Sequence, residues 1–333
     1  MAAIPSARVL CLYHYPCADG IFAALAVHLA HKARGTAVQF WPNTVWAPLT
    51  VGSLGLTGDE VCHAYLVDFS GGPGFARQLS QHVSKVVVLD HHKTAAAELT
   101  DPALAGMESL EVHFDMNRSG ATISYDYFQP QGLTPEQQQL FRYIEDADLW
   151  RWQLPESKAF TAGGQGEAPD AADMRPGLKL EYDAQKNPAI WDQLLSQTPR
   201  ALIQLGAPIL AEQQRLVQEA VGQAFVVNVG GAAGAERGWG RCLAVRVGAQ
   251  LASLRSQLGN ALAEESRRQG LRAMAVVAYI EEAMGDPSQI KCSLRSIGEG
   301  EDTTPVSEAH GGGGHRNASS FICAVSQFES WRA

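Results

Sequence analysis

The chain has 333 residues, of which 46% are hydrophobic and 18% are charged, a composition that excludes a disordered or collagen-like chain. Its length exceeds that of most single domains, so two domains are expected. The 35 acidic residues outnumber the 26 basic ones, and the net charge of −9 argues against a protein that coats duplex nucleic acid by neutralising its phosphates.

The six cysteines are scattered along the chain without a CxxC pair, which favours free thiols and a reducing compartment. The first apolar run is too short for a signal peptide, and no later run approaches the ~18 apolar residues of a membrane span. We therefore expect a cytoplasmic protein that does not act at a membrane. Import into an organelle is the alternative, because alanine, serine and arginine without acids also begin many transit peptides.

Three apolar runs in the first third of the chain are each followed by polar residues. Val9 to Tyr15 leads to CADG, Ala64 to Val67 leads to DFS, and Val86 to Leu89 leads to DHHK. Continuous apolar character predicts strands that are buried on both faces of a parallel sheet. The segment after Gly20 has helical spacing, which predicts a strand, a turn and a helix. Active groups of such sheets gather at the carboxyl ends of the strands, where all three polar clusters lie.

The chain beyond the third apolar run predicts more elements of the first domain, and the alternating strands and helices after residue 224, from AFVVNVGG to SSFICAVSQF, predict a second α/β domain. A further strand ends at Asp115, and helices are predicted in SGATISYDYF and PEQQQLFRYIEDADLW. Phe160 to Pro176 is rich in glycine, alanine and proline, which predicts a loop. We expect an α/β protein with a parallel-sheet domain over residues 1–200, a helical linker over 201–224 and a smaller α/β domain over 225–333.

Acids and histidines at the strand ends indicate a metal centre. The strand ends supply His14, Asp19, Asp68, Asp90, His91 and His92, and a helix end adds Asp146 and Asp148. Such donors suit manganese, magnesium or another divalent cation better than a thiolate-rich structural zinc site. Two cations about 3.5 to 4 Å apart can stabilise an in-line displacement at phosphorus. The pair needs a shared carboxylate, and Asp68, alone after the middle strand, is the candidate. His82 and His113 are interpreted as ordinary polar histidines.

Six segments follow one another in an order that a known family shares. They are HYPCADG (14–20), VDFS (67–70), LDHHKT (89–94), the aspartate in YIEDADLW (143–150), SLRS (293–296) and GGGGHRNAS (311–319). Together they resemble the DHH phosphoesterase superfamily with the DHH-associated C-terminal domain. This superfamily includes oligoribonucleases, phosphatases of 3'-phosphoadenosine 5'-phosphate, cyclic-dinucleotide phosphodiesterases and single-strand exonucleases. The resemblance spans most of residues 9–325, although 155–198 carry no motif.

The resemblance implies two metal-ligand sets that share Asp68: one adds His14, and the other adds Asp19, His91 and Asp146. Asp148 competes with Asp146. We prefer Asp146, because the fourth motif of the family places its acid a few residues before an apolar residue, here Trp150. The expected cofactor is a pair of Mn²⁺ ions, with Mg²⁺, Co²⁺ and Zn²⁺ as alternatives.

Two further residues are expected to act in catalysis besides Asp68. The resemblance implies that His92 contacts the scissile phosphate or the bridging hydroxide. It also implies that Asp90 orients the histidines from outside the metal shell.

Cys17 departs from the pattern of the family, much of which has a further acid in this motif. One interpretation is that Cys17 binds the first metal as a thiolate, which would shift that site towards zinc or iron. A second is that the site is weaker or open there. A third is that Cys17 is a small buried residue in a turn.

The resemblance also implies a substrate-binding surface in the second domain, formed by Arg295, Ser296, Gly312, Gly313, Gly314 and His315. Glycines allow backbone N–H groups to approach an anion closely, although a flexible loop would have the same composition. His315 would hold a phosphate or ribose, and Arg295 would act as a charge-assisted clamp.

Arg118 is a candidate phosphate contact in the first domain. It stands before a helix whose N-terminus favours anions. Capping of that helix by Ser119 explains the segment equally well.

We expect a divalent-metal-dependent phosphoesterase in which a metal-bound hydroxide attacks phosphorus. Phosphodiester, phosphomonoester and phosphoanhydride bonds of short single-stranded oligonucleotides, nucleotide 3'-phosphates, cyclic dinucleotides or polyphosphates are compatible substrates. The lack of a basic stripe argues against duplex nucleic acid and against processive degradation of long strands. The alternatives are a non-catalytic sensor of nucleotides or polyphosphate and a deacylase related to transfer RNA. A monomer and a homodimer are both compatible with the sequence.

Overall fold

The computed structural model describes residues 8–44, 47–56, 62–100, 106–165, 180–281 and 285–333. The chain forms two compact units, and the division falls between Pro208 and Ile209. One sheet lies in each unit, so the α/β class expected from the sequence is confirmed. The helix Pro199–Gly222 covers most of the segment that was predicted as a linker.

The first unit contains a five-stranded sheet in which every neighbouring pair of strands is parallel. The strands are β1 (Arg8–His14), β2 (Val38–Asn43), β3 (Cys62–Val67), β4 (Lys85–Asp90) and β5 (Leu110–Phe114). Their spatial order is β2-β1-β3-β4-β5. The three apolar runs form the three central strands, which are covered on both faces and therefore lack polar alternation. The edge strand β2 was not predicted.

Helices cover both faces of this sheet. The helices that begin in this unit are α1 (Ala18–Ala33), α2 (Phe75–Leu79), α3 (Lys93–Leu99), α4 (Gly120–Phe128), α5 (Pro135–Asp148), α6 (Ser157–Gln165), α7 (Ile190–Leu195) and α8 (Pro199–Gly222), with a 3₁₀ turn at Val51–Leu54. The residues of α8 from Ile209 onward belong to the second unit. Successive residues of β1 point to opposite faces. Cys11 and Tyr13 join the core formed with α1, α4 and α5, whereas Leu10 and Leu12 join the core formed with α2 and α3.

The register of the central strands brings their carboxyl ends to one edge of the sheet. Tyr13 pairs with Val67, and Val67 pairs with Leu89. The next residues along the three strands are His14, Asp68 and Asp90. The backbone register of the sheet therefore places these three residues next to one another at the same edge.

The loop predicted from Phe160 is wrong over its first residues, because helix α6 continues to Gln165. Residues 166–179 of that predicted loop lie outside the described residues. The helix forms because Phe160 and Ala162 are buried and because Gly163 lets it pack closely on α8. A Cβ atom at Gly163 would lie 2.0 Å from the carbonyl oxygen of Leu202. A buried helix is usually recognised by bulky apolar residues at regular spacing. In α6 two of the packed positions hold small residues instead, Ala162 and Gly163.

The second unit contains a six-stranded mixed sheet of order β10-β11-β9-β8-β7-β6. Its strands are β6 (Phe225–Asn228), β7 (Arg241–Val247), β8 (Met274–Tyr279), β9 (Gln289–Ser296), β10 (Gly313–His315) and β11 (Ala318–Ala324). Only β7 and β8 pair in parallel among these described strands. Its helices are α9 (Gly231–Glu236), α10 (Arg255–Arg268), α11 (Thr304–Ala309) and α12 (Val325–Glu329), with a 3₁₀ turn at Ala249–Leu254. The strand predicted in SSFICAVSQF ends at Ala324, before the end of that segment, because Val325 begins α12.

Among the helices of the described part of the chain, none is both long enough and apolar enough to cross a bilayer.

The packing of α6 on α8 predicts opposite effects for two adjacent glycines. Gly163→Ala should destabilise the protein by about 1 to 3 kcal/mol, because the added methyl group overpacks the helix contact. Gly164→Ala should be neutral or stabilise it by up to about 1 kcal/mol, because no atom lies within 4 Å of the position of its Cβ and alanine favours helices. Urea unfolding measures both; equal stabilities would contradict this close contact.

Candidate metal centre

Asp68 lies at the centre of the site. It follows β3, its side chain is 1% exposed, and its backbone N–H donates to the carbonyl of Leu89 at 2.9 Å. Its φ angle is +56°, in the left-handed region that costs a non-glycine residue about 1 kcal/mol. This conformation turns the carboxylate towards the ends of the neighbouring strands instead of continuing the strand.

Histidines from the neighbouring strand ends contact both oxygens of this carboxylate. Nδ1 of His14 lies 3.2 Å from Oδ2, and Nε2 of His91 lies 3.1 Å from Oδ1. Nδ1 of His92 lies 3.8 Å from Oδ1. One carboxylate is therefore shared between imidazoles that reach it from opposite sides of β3.

His91 faces three carboxylates. Besides Asp68, its Nε2 lies 3.6 Å from Oδ2 of Asp19 and 3.5 Å from Oδ2 of Asp148. Donor atoms of Asp19, His91 and Asp148 all lie within 4.8 Å of one another. This group has the nitrogen and oxygen donors of a site for a divalent cation.

A second group of donors contains His14, Cys17 and Asp68, and their donor atoms also lie within 4.8 Å of one another. Asp68 also forms a group with His91 and His92, whose donor atoms lie within the same 4.8 Å, so it belongs to donor groups on both sides of its carboxylate. The structure brings together all the predicted ligands except Asp146.

Asp146 is not part of either group. Its carboxylate accepts hydrogen bonds from the backbone N–H groups of Gln153 at 2.9 Å and Leu154 at 3.3 Å. It therefore holds the turn after α5 instead of facing the metal centre. The residue of α5 that reaches the centre is Asp148, and this corrects the preference for Asp146. Positions two apart on a helix point about 200° away from each other, so the two acids cannot face the same site.

The N-terminus of α4 holds Asp19 in place. The N–H of Gly120 donates to Oδ2 of Asp19 at 2.6 Å, and the N–H of Ala121 donates to Oδ1 at 3.0 Å. A Cβ atom at Gly120 would lie 2.4 Å from Cβ of Asp68, so only glycine allows this approach. Sequence reasoning missed this role of Gly120, although a glycine that opens a helix beside a motif was the available signal.

Asp90 organises the two histidines that follow it. Its Oδ1 accepts hydrogen bonds from the backbone N–H of His91 at 2.7 Å and of His92 at 3.1 Å, and Nδ1 of His92 lies 2.8 Å away. Nδ1 of His92 is therefore the nitrogen that donates to Asp90. Nε2 is left as the nitrogen for a substrate or a solvent molecule.

The site carries an excess of carboxylate charge. Burial and the neighbouring carboxylate of Asp68 raise the pKa values of Asp19 and Asp148. Although burial opposes it, hydrogen bonds from His14 and His91 lower the pKa of Asp68. The hydrogen bond with Asp90 raises the pKa of His92 to about 9. Buried acids that repel one another fit a site for cations, since bound cations would neutralise them.

Arg118 lies near these elements but is engaged in ion pairs. Its Nε donates to Glu145 at 2.9 Å, and its Nη1 lies 2.8 Å from a carboxylate oxygen of Asp126. Ser119 caps α4 by accepting the N–H of Thr122. The first N–H groups of α4 are used by Asp19, as described above.

The predicted substrate contacts of the second unit come together at one end of its sheet. His315 pairs with Ala318, and Ala318 pairs with Arg295, so the three residues lie side by side on one face. Nη2 of Arg295 donates to Oγ of Ser256 at 2.7 Å. The Ser296 hydroxyl accepts from the Asn317 amide at 3.1 Å, so Ser296 fixes this turn. Gly313 and Gly314 belong to β10, and Gly312 precedes it.

A cavity of about 470 Å³ opens beside the metal centre within the first unit. His14, Asp68 and His92 of the centre belong to its lining. The lining also contains residues 69–73, Pro48, Ala95 and Glu98. None of the described residues that line it is a lysine or an arginine.

The chain shares the fold of a solved phosphodiesterase structure. The pGpG-specific phosphodiesterase PggH from Vibrio cholerae aligns over 97% of this chain and 95% of its own, with 10% identity and a TM-score of 0.50. The fold implied by the DHH resemblance is confirmed. RecJ in complex with Mn²⁺ from Thermus thermophilus is a weaker match, which aligns over 98% of this chain and 51% of its own, with 14% identity and a TM-score of 0.46.

In sequence, the chain is similar to uncharacterized protein R106 of Acanthamoeba polyphaga mimivirus. The two are 23% identical over 318 residues, which is 92% of this chain and 66% of the relative. The chain therefore spans just under two thirds of that relative. No family model matches the chain.

The two aspartates of α5 give a direct test of the geometry. Asp148→Asn should weaken the binding of Mn²⁺. It should cost little stability, because the Asp148 side chain is partly exposed and, in the described contacts, does not hold a backbone turn as Asp146 does. Asp146→Asn should lower the midpoint of thermal unfolding and leave Mn²⁺ affinity nearly unchanged. Calorimetric titration and thermal unfolding of both variants separate the effects; the reverse pattern would show that Asp146 is the ligand.

Proposed function

We propose that this protein is a phosphoesterase that works with two divalent cations and hydrolyses a small nucleotide substrate. The observation that carries the proposal is the position of Asp68, whose two oxygens face different donor groups. A carboxylate shared in this way can bridge two cations. One ion would be held by His14 and Asp68, and the other by Asp19, Asp68, His91 and Asp148.

Two bound cations would supply an activated water molecule and neutralise charge on the reacting phosphate. The residues of the chain fix where this chemistry occurs. Asp19 is held by the first turn of α4, and Asp90 holds His91 and His92 through the backbone. Because the ligands are fixed before the cations bind, little reorganisation is required during the reaction.

His92 is the group proposed to act on the substrate. Its Nδ1 bonds Asp90, its ring lines the cavity, and the hydrogen bond with Asp90 raises its pKa. A protonated imidazole can donate a hydrogen bond from Nε2 to a phosphate oxygen and stabilise the charge that develops there. Asp90 acts through His92 as a positioning residue.

The cavity favours a nucleoside over a polyphosphate chain. Phe69, Pro48 and Ala95 are apolar residues of its wall, whereas Glu98 adds a carboxylate and the described lining includes no lysine or arginine. A chain of phosphates requires cationic or N–H partners along its length, but a base and sugar can use an apolar, weakly polar wall. We therefore favour short oligonucleotides, dinucleotides and nucleotide bisphosphates. PggH, which shares the fold, is described as specific for pGpG.

The second unit carries a group of anion donors of its own, since Arg295 and His315 lie on one face of its sheet. We propose that these two residues bind a phosphate group. A panel of dinucleotides, nucleotide 3',5'-bisphosphates, cyclic dinucleotides and polyphosphate, assayed with Mn²⁺, Mg²⁺, Co²⁺ and Zn²⁺, tests the substrate class.

Replacement of Asp68 tests the enzymatic proposal. Asp68→Asn keeps the left-handed backbone, which asparagine tolerates, but removes the charge that would bridge the cations. Metal-dependent turnover of the best substrate should fall by about 10³-fold or more, since the cations contribute several kcal/mol to transition-state stabilisation.

The control is His113→Ala, which removes an exposed histidine bonded to Glu111 and should leave turnover unchanged. Full activity of Asp68→Asn would contradict the bridging role. Tight nucleotide binding by the wild-type protein without turnover under any of the four cations would instead indicate a sensor.

Filling the cavity tests the substrate class. Ala95→Phe should lower kcat/KM for a dinucleotide by at least about tenfold, because the aromatic ring takes the space of the nucleoside. Mn²⁺ affinity should not change, since Ala95 is not a ligand. Ala96→Phe, on the same helix but outside the cavity lining, is the matched control. Unchanged dinucleotide turnover in Ala95→Phe would place the nucleoside elsewhere.

A further inference from the structure

Cys17 does not have the surroundings of a cysteine that only fills space in the apolar core. It directly precedes α1, its backbone is extended, and its carbonyl accepts the N–H of Ile21 at 3.1 Å to begin the helix. Cys11, six residues earlier, is fully buried within the apolar core. The side chain of Cys17, in contrast, lies partly exposed among the donors of the metal centre.

The sulfur lies with two other donors from separate elements. Nδ1 of His14 comes from the end of β1, and a carboxylate oxygen of Asp68 comes from the end of β3; all three donor atoms lie within 4.8 Å of one another. Zinc–sulfur and zinc–nitrogen bonds of about 2.3 and 2.0 Å place the donors of a tetrahedral site roughly 3.3 to 3.8 Å apart. Small side-chain movements would bring the three donors to that spacing.

The two proposed ion positions therefore differ in chemistry. The position around His91 has imidazole and carboxylate donors, from Asp19, Asp68 and Asp148, which suit Mn²⁺ and Mg²⁺. The position around His14 adds sulfur, and sulfur as a donor favours Zn²⁺, Co²⁺ or Fe²⁺. Burial and the carboxylates of Asp68 and Asp19 raise the pKa of the free Cys17 thiol, so the bound cation has to displace its proton.

We propose that Cys17 binds a metal ion as a thiolate, together with His14 and Asp68, and that the centre holds two different metals. The thiophilic ion lies at Cys17 and His14, and Mn²⁺ or Mg²⁺ lies at His91. This inference rests on the proposed dinuclear centre, and it adds which kind of cation each position selects. On binding, the thiol loses its proton to solvent and the sulfur forms the bond to the metal.

Cobalt spectroscopy tests this assignment without any assay of activity. The full-length protein is first treated with a chelator and then titrated with Co²⁺. Wild-type protein should show visible bands of bound cobalt and a near-ultraviolet charge-transfer band from sulfur to cobalt. In Cys17→Ser the charge-transfer band should disappear, while visible bands from the position around His91 persist. Circular dichroism checks that the variant is folded.

Cys323→Ala is the matched control, because Cys323 is a buried cysteine of the other sheet and its loss should leave the charge-transfer band unchanged. Cys17→Asp should lower the affinity for Zn²⁺ relative to Mn²⁺ by at least about tenfold, a loss that is typical even for residues outside the ligand shell. Cobalt bands without a charge-transfer band in the wild-type protein would overturn the role of Cys17 and leave the dinuclear centre standing. No cobalt bands at all would overturn the centre itself.

Discussion

The structure of the first unit depends on the burial of one carboxylate. Asp68 is almost fully enclosed, yet it lies among imidazoles and other acids and has no arginine or lysine as an ion-pair partner in the described contacts. A buried charge is costly unless it is paired or binds a metal. Its left-handed backbone, the glycine that approaches it and the register of three strands all serve to hold it there. These features are explained together if cations complete its environment.

Carboxylates of the same chemical type have different roles in this site because their neighbours differ. Asp19 accepts hydrogen bonds from two N–H groups at the start of a helix, and Asp90 accepts hydrogen bonds from the backbone N–H groups of the two histidines that follow it. Asp146 accepts hydrogen bonds from two N–H groups of a turn and does not face the metal centre. Asp148 lies with Asp19 and His91, where its oxygens can bind a cation. The hydrogen bonds of each acid, more than its place in a motif, decide whether it binds metal, positions a histidine or supports the fold.

The sequence predicted the central strands because continuous apolar runs followed by polar residues are typical of a buried parallel sheet. It also predicted which polar residues meet, since the carboxyl ends of parallel strands share an edge. It did not predict the edge strand β2, whose residues are only partly apolar, or helix α6, whose packing uses glycine. It could not choose between Asp146 and Asp148, because both lie in the same short run and only the rotation of the helix separates them. A glycine at the start of a helix was the local signal for Gly120, but that pattern does not show its partner, because its role depends on its close approach to Asp68 across the fold.

Whether Asp68 bridges two cations can be measured by anomalous X-ray diffraction from crystals of the protein soaked in Mn²⁺ together with Zn²⁺. Two anomalous peaks are expected about 3.5 to 4 Å apart, one on each side of the Asp68 carboxylate, with His14 beside one and His91 beside the other. A single peak, or two peaks that do not share Asp68, would contradict the bridging role.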